Sequence, residues 1–313
     1  MSITITGGIS FSGGVDIVAP PPAGPTAGWF GGGGPAPVSR VDRITYATDT
    51  ATASVRGPLS LARFKFAAAG NTTDGWFGGG RSPATVLSTV DRITYATDTA
   101  TASVRGSLSS PSYGLAATGN STDAWFGGGS PGPQSTVQRI TYATDTATAS
   151  VRGPLSSARY LSAAVGNETD GWFGGGGLAP VSRVDRITFA TDTATASVRG
   201  PLSSARYYLA GTGNATNGWF GGGNPDSVST VDRITYATDT ATASVRGPLS
   251  SRRICAAATG DTTNGWFGGG RDGQGEIVST VDRITFATDT ATASTRGPLS
   301  TSVQNLAASS GIQ

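Results

Sequence analysis

One stretch recurs six times and limits what this chain can become. From Gly75 it reads GWFGGGRSPATVLSTVDRITYATDTATASVRGSLSS, and close copies begin at Gly28, Ala124, Gly171, Gly218 and Gly265. The tryptophans Trp29, Trp76, Trp125, Trp172, Trp219 and Trp266 fall 47, 49, 47, 47 and 47 residues apart. Self-similarity at such a period marks a solenoid, a propeller or an array. A unit of that size cannot bury its own apolar face, so the six copies must share one assembly.

Within a unit the apolar period is two, which is strand spacing, and no segment has a helical period. Phe66 to Gly70 reads as a strand of small residues, followed by an Asn71–Gly75 turn. Trp76 to Gly79 forms a second strand. Val90 to Tyr95 forms a third, with Ile93 and Tyr95 on one face and Arg92 and Thr94 on the other. Thr97-Asp98-Thr99 connects to a fourth strand over 100–105, which Gly106 ends. Four antiparallel strands repeated radially make a propeller blade. The small strand belongs innermost, and the Trp and Phe of the second strand should point to opposite faces and fill the gaps between blades. The first unit has no small strand before Trp29, whereas the last runs on into Leu306-Ala307-Ala308-Ser309-Ser310-Gly311. The expected fold is therefore all-β, a six-bladed propeller closed by the C-terminal strand joining the first blade. It occupies residues 28–313, behind an N-terminal region 1–27.

Composition narrows the function. Glycine numbers 47 without a three-residue period, and 37% hydrophobic content is too high for a disordered chain. A net charge of +2 with no basic block gives no footprint for nucleic acid. No apolar run reaches the ~18 residues of a membrane helix, and residues 1–27 lack the basic start and apolar core of a secretion signal. With no histidine and one cysteine, Cys255, neither an intrachain disulfide nor a His/Cys metal site is expected, and no cofactor. The glycine runs lack the Lys-Ser/Thr ending of a phosphate loop. Three charges are locked to the repeat: Arg43 and Arg56 with Asp49, and their five sets of copies. Charges that recur in every unit are expected to be architecture. The sequons at Asn71, Asn120, Asn167 and Asn214 share one turn and read as turn chemistry.

Two regions escape the repeat. In residues 1–27, Ile3, Ile5, Ile9, Phe11, Val15 and Ile17 sit in strand-like surroundings before Pro20-Pro21-Pro22, as expected of an anchoring arm on a stiff connector or of a strand packed on the propeller. The loop between the second and third strands, and the link into the next blade, differ from copy to copy. In an antiparallel blade both emerge on one face. The candidate binding face comprises Arg40, Arg63, Arg81, Tyr113, Gln134, Tyr160, Arg183, Tyr207, Asp226, Arg252 and Arg271. It is rich in Arg and Tyr, the types favoured at binding hot spots.

The unit resembles the kelch repeat. It has the double glycine of Trp76-Phe77-Gly78-Gly79, a later aromatic strand Ile93-Thr94-Tyr95, and a Pro- and Arg-bearing link, Gly153-Pro154-Leu155-Ser156-Ser157-Ala158-Arg159. The late Trp of kelch is replaced by Ala102 or Ser103, and the WD40 signatures are absent. The wording GWFGGG and DRITYATDTATASVRGPLSSAR, behind ITGGISFSGG, also resembles repeat proteins of tailed bacteriophages, notably marine and cyanobacterial ones. That resemblance implies a non-catalytic virion protein of tail-fibre or decoration type. Its arm would hold other virion proteins and its variable face would meet a host surface glycan or protein. The alternatives are a purely structural virion or scaffold component and, more remotely, a glycan-active enzyme. For the last, the catalytic groups must come from a site and not from the fold.

Overall fold

The computed structural model describes residues 25–177 and 179–310, so the arm residues Ile3 to Ile17 lie outside the described residues. Six four-stranded antiparallel sheets form the blades. Blade two is representative: inner strand Ala67–Gly70, second strand Asp74–Gly78, third strand Val90–Thr94, outer strand Ser103–Val104. In blade one the inner strand is Ala307–Ser310, paired with Ala27–Gly31 so that Trp29 faces Ser309 and Phe30 faces Ala308. The six inner strands adjoin one another in a ring. The fold is a closed six-bladed propeller of kelch-like type.

Two element ends differ from the sequence reading. The third strand stops at Thr94, and Tyr95–Thr97 forms a 3-10 turn. The outer strand is shorter than 100–105 because the preceding residues serve the neighbouring blade: the Ala102 amide donates to Pro58 O at 2.8 Å.

Trp and Phe hold the blades together in opposite directions. Each Trp stacks on the aromatic residue after the third strand of the next blade, as Trp29 does on Tyr95 at 3.8 Å. Each Phe reaches back to the preceding blade. A Cβ on Gly78 would lie 2.7 Å from Phe126 of blade three, so glycine is required there.

The repeat-locked charges form six copies of one joint between blades. Asp98 of blade two accepts from Trp29 Nε1 at 2.8 Å and Arg43 Nη1 at 3.0 Å, with Arg56 Nε at 3.5 Å, all from blade one. The series runs round the ring to Asp49, which takes Trp266 at 2.9 Å and Arg283 at 3.0 Å. Each carboxylate is buried with charge-assisted partners. The same Asp also takes a backbone bond through its carbonyl: Gly57 N donates to Asp98 O at 2.8 Å. Twelve of the 22 cations are used in this way.

Candidate functional site

The link into each blade and the loop between its second and third strands meet on one face. Backbone bridges join them directly: Val38 with Arg63, Phe64 with Arg81, Tyr113 with Ser130, Gln134 with Arg159 and Tyr207 with Asn224. The opposite face carries the invariant turns. There Asn71 Oδ1 accepts from the amides of Thr73 and Asp74 at 2.9 Å, so the sequon asparagines close turns.

Arg63 must be withdrawn from the candidate face. Its side chain is 0% exposed, and its Nη2 lies 2.9 Å from Asp91. It also donates to Phe77 O at 2.9 Å and Thr89 O at 2.9 Å. Burial pushes its pKa down, and Asp91 opposes that shift. A long cation in a varying link looks free in sequence. Here it closes the base of a loop. Arg159, Arg206 and Arg253 repeat the arrangement with Asp185, Asp232 and Asp282.

The two blades that lack this arginine show its logic. In blade three Ser112 replaces it and Gln138 replaces the aspartate, so both charges go together. Gln134 turns inward there and accepts from Ser112 Oγ at 3.2 Å, which makes it a half-buried packing residue as well as a face residue. In blade one Val303 stands at the arginine position and Asp42 remains. Its cation comes from the other side, where Arg40 Nε lies 3.4 Å away. Among the described residues each of these strand carboxylates has a cation, as its desolvation cost requires.

The other candidates lie on the face with side chains at least partly accessible: Arg81, Arg183, Asp226, Arg252 and Arg271 are exposed, and Tyr113, Tyr160 and Tyr207 are half-buried. Arg81 sits over the Tyr113 ring at 5.8 Å. Arg183 donates to Ser157 Oγ at 2.7 Å, and Arg271 Nε to Gly275 O at 2.7 Å. After the twelve joint arginines and the four buried ones, six cations remain of the 22: Arg40, Lys65, Arg81, Arg183, Arg252 and Arg271. All six belong to the variable loops and links.

At the centre of this face lies a feature that sequence reading did not find. Lys65, Gly114, Leu161, Tyr208, Cys255 and Asn305 occupy equivalent positions, all with left-handed φ between 55° and 67°. Each amide donates to the carbonyl of the one before it: Gly114 to Lys65 at 2.6 Å, Leu161 to Gly114 at 2.6 Å, Tyr208 to Leu161 at 2.9 Å, Cys255 to Tyr208 at 3.1 Å, Asn305 to Cys255 at 2.8 Å and Lys65 to Asn305 at 2.8 Å. The six bonds close a circle round the propeller axis. Gly114 and Asn305, residue types that tolerate this conformation, were the signal available in the sequence. At the circle is a cavity of about 70 Å³ lined by these six residues together with Phe66, Leu115, Leu209 and Leu306 among others. Burial pushes the Cys255 thiol up to about 12 and raises the Tyr208 hydroxyl well above its ordinary range.

A second cavity of about 120 Å³ lies further along the axis between the inner strands, lined by small residues such as Ala69, Thr118, Thr212 and Ser309. Among the described residues, no three His, Cys, Asp or Glu side chains gather as metal ligands. No family model and no curated protein matches this chain.

Proposed function

We propose that the chain is a non-catalytic binding module of a bacteriophage virion, of tail-fibre or decoration type. It presents the variable face of the propeller to a host-surface glycan or protein and is anchored on other virion proteins by residues 1–27. One observation carries the binding part of this reading. Side chains that recur in every copy are used up in joints between blades, while the five cations that pair with no buried carboxylate (Lys65, Arg81, Arg183, Arg252 and Arg271) stand with Tyr113, Tyr160 and Tyr207 on the one face that varies. Arg and Tyr in partly desolvated surroundings are the residue types that dominate interface energetics. The virion setting is supported by the likeness of the repeat wording to phage repeat proteins.

Whole-cell binding of the labelled protein, with and without residues 1–27, against a panel of bacterial hosts tests it. Binding that survives removal of the arm and is lost in the combined Arg81→Ala, Tyr160→Ala, Tyr207→Ala, Arg271→Ala variant is the expected result. Binding to no host, with tight arm-dependent association with virion particles, would replace receptor binding by a purely structural role.

A further inference from the structure

The axial circle is the most divergent position in the repeat. Six copies carry six different residues there, in a chain whose third and outer strands hardly change. Lys65 is the only lysine of the protein and Cys255 the only cysteine, and both fall at this position. Glycine would serve the backbone best at all six places, as Gly114 shows. Asn305 tolerates the conformation, and the other four carry side chains in a conformation that costs roughly 1–2 kcal/mol for an L-residue. Strain of this kind, kept where several elements converge, marks a site whose side chains matter.

The order of the bonds sets the neighbours: Asn305 and Lys65 adjoin each other on one side of the circle, Leu161 and Tyr208 stand opposite, and Gly114, which has no side chain, lies between Lys65 and Leu161. The Lys65 ammonium reaches across the axis and lies 5.3 Å from the centre of the Tyr208 ring. No carboxylate pairs with it among the described residues, so its partner is an aromatic face that an anion can replace.

We propose that this axial depression binds the acidic end group of a saccharide, a pyranose ring bearing a carboxylate. The proposal rests on the reading of the variable face as the binding face and names the ligand class for its centre. The ammonium of Lys65 takes the carboxylate in a charge-assisted bond. The Asn305 amide offers a donor and an acceptor to the ring hydroxyls. Tyr208 presents a flat apolar surface to the C–H face of the sugar, with a polar tip beside it. A cavity of about 70 Å³ admits the carboxylate and the ring edge that bears it. The remainder of the sugar then lies over Tyr208 toward Tyr160 and Tyr207. Six unlike residues on a pseudo-sixfold axis suit a ligand that has no such symmetry.

The single lysine provides the test. Reductive dimethylation with ¹³C-formaldehyde keeps the charge and gives one side-chain signal, beside that of the N-terminal amine. The intact protein is titrated with glucuronic acid, galacturonic acid and N-acetylneuraminic acid, and in parallel with glucose, galactose and succinate. The expected result is a saturable shift of the Lys65 signal with at least one acidic sugar and none with the neutral sugars or succinate. Tyr208→Gly, which relieves the backbone as Gly114 already does, should weaken binding by about tenfold or more, the loss of one good contact. Silence with every acidic sugar, an equal response to succinate, or unchanged affinity in Tyr208→Gly overturns the proposal. Whole-cell binding of Lys65→Gly separates the two readings. If the titration is silent while cells are bound through the tyrosine and arginine rim, the axial site falls and the face stands. If the titration saturates while no host is bound, the axial site stands and the host reading falls.

Discussion

Replacing Arg206 by Ser would leave Asp232 a carboxylate without a cation inside the disc. The pair is 2.6 Å apart and its side chains are 1% and 0% exposed. Arg206 also donates to Gly222 O at 2.6 Å and Thr230 O at 3.0 Å. Removing one partner of a buried pair costs about 3–5 kcal/mol, whereas replacing both by groups that satisfy each other is close to neutral. Blade three already contains such a replacement. Its Ser112, Gln134 and Gln138 stand where blade five has Arg206, Val228 and Asp232. Gln138 Oε1 accepts from the Ser109 amide at 2.6 Å, the role that Asp232 plays for Ser203 at 3.0 Å. The triple variant Arg206→Ser, Val228→Gln, Asp232→Gln should therefore stay within about 1 kcal/mol of the parent. Unfolding entropy of roughly 2.1 cal/mol/K per residue, over 313 residues, gives about 0.66 kcal/mol/K. A loss of about 4 kcal/mol then lowers Tm by about 6 °C, and the triple variant by less than about 2 °C. Thermal melts followed by circular dichroism, for Arg206→Ser, Asp232→Gln and the triple variant, supply the comparison. A triple variant that melts as low as the sum of its parts would refute the view that blade three is a compensated replacement.

Gly200→Ala should be severe, because its Cβ would lie 1.9 Å from the Ala241 carbonyl in the next blade. A loss of about 3 kcal/mol or more is expected in urea melts, against about 1 kcal/mol for Gly132→Ala, where only φ is unfavourable. Tyr142 is buried and its hydroxyl has no partner among the described residues, whereas Tyr95 meets Ser309 at 2.8 Å. Ala69 is the counterpart of Ser309 in the blade before Tyr142, so Ala69→Ser should raise stability by about 1 kcal/mol, read in the same melts. Burial holds the pKa of Tyr46, Tyr95, Tyr142 and Tyr236 above the ordinary value near 10 and that of Cys255 up at about 12. Their contribution is therefore complete below pH ~9–10 and lost as pH rises further, since the unfolded chain releases protons that the folded one retains. Absorbance of tyrosinate at these four positions should appear together with unfolding, and an ordinary titration near pH 10 in the folded protein would count against it.

The frame was legible because each of its determinants is local or repeated. Alternating Ile93 and Tyr95, the Gly78-Gly79 step and the displaced strand Ala307–Ser310 each carry their meaning in the order of residues. The Arg43–Asp98–Arg56 joint was legible only as a class: recurrence marked it as architecture, but nothing in one copy says that Asp98 serves the blade before it. Arg63 was misread for a related reason. Its link varies in sequence, yet the variation at this position tracks the residue it pairs with. The paired change to Ser112 and Gln138 was present in the chain as a signal and requires the two columns to be read together. Shorter outer strands follow from the same limit, since the demand of Pro58 on the Ala102 amide comes from another blade. The axial circle could not be deduced from composition, because a positive φ at Lys65, Leu161, Tyr208 or Cys255 runs against the preference of those residues.

That last mismatch bears on how a ring of near-identical units can recognise anything. A frame repeated six times offers six equal surfaces, and a contact built from one unit has five competitors on the same disc. Specificity has to come from positions where the units are brought together and are unlike. The loops between second and third strands differ but are spread round the rim. The inner strands meet on the axis too, but with similar small residues; the link residues meet there unlike one another, through backbone bonds that need no particular side chain. The circle is held by its backbone bonds, so the residue type at these positions is not dictated by the frame. Strain there is tolerated because the circle closes on itself, each amide satisfied by the preceding carbonyl. Side chains at these six places can change without disturbing the Trp–Asp–Arg joints, which lie toward the other face. The joints fix the disc and the axis is left to vary, so a change of ligand requires no change of fold.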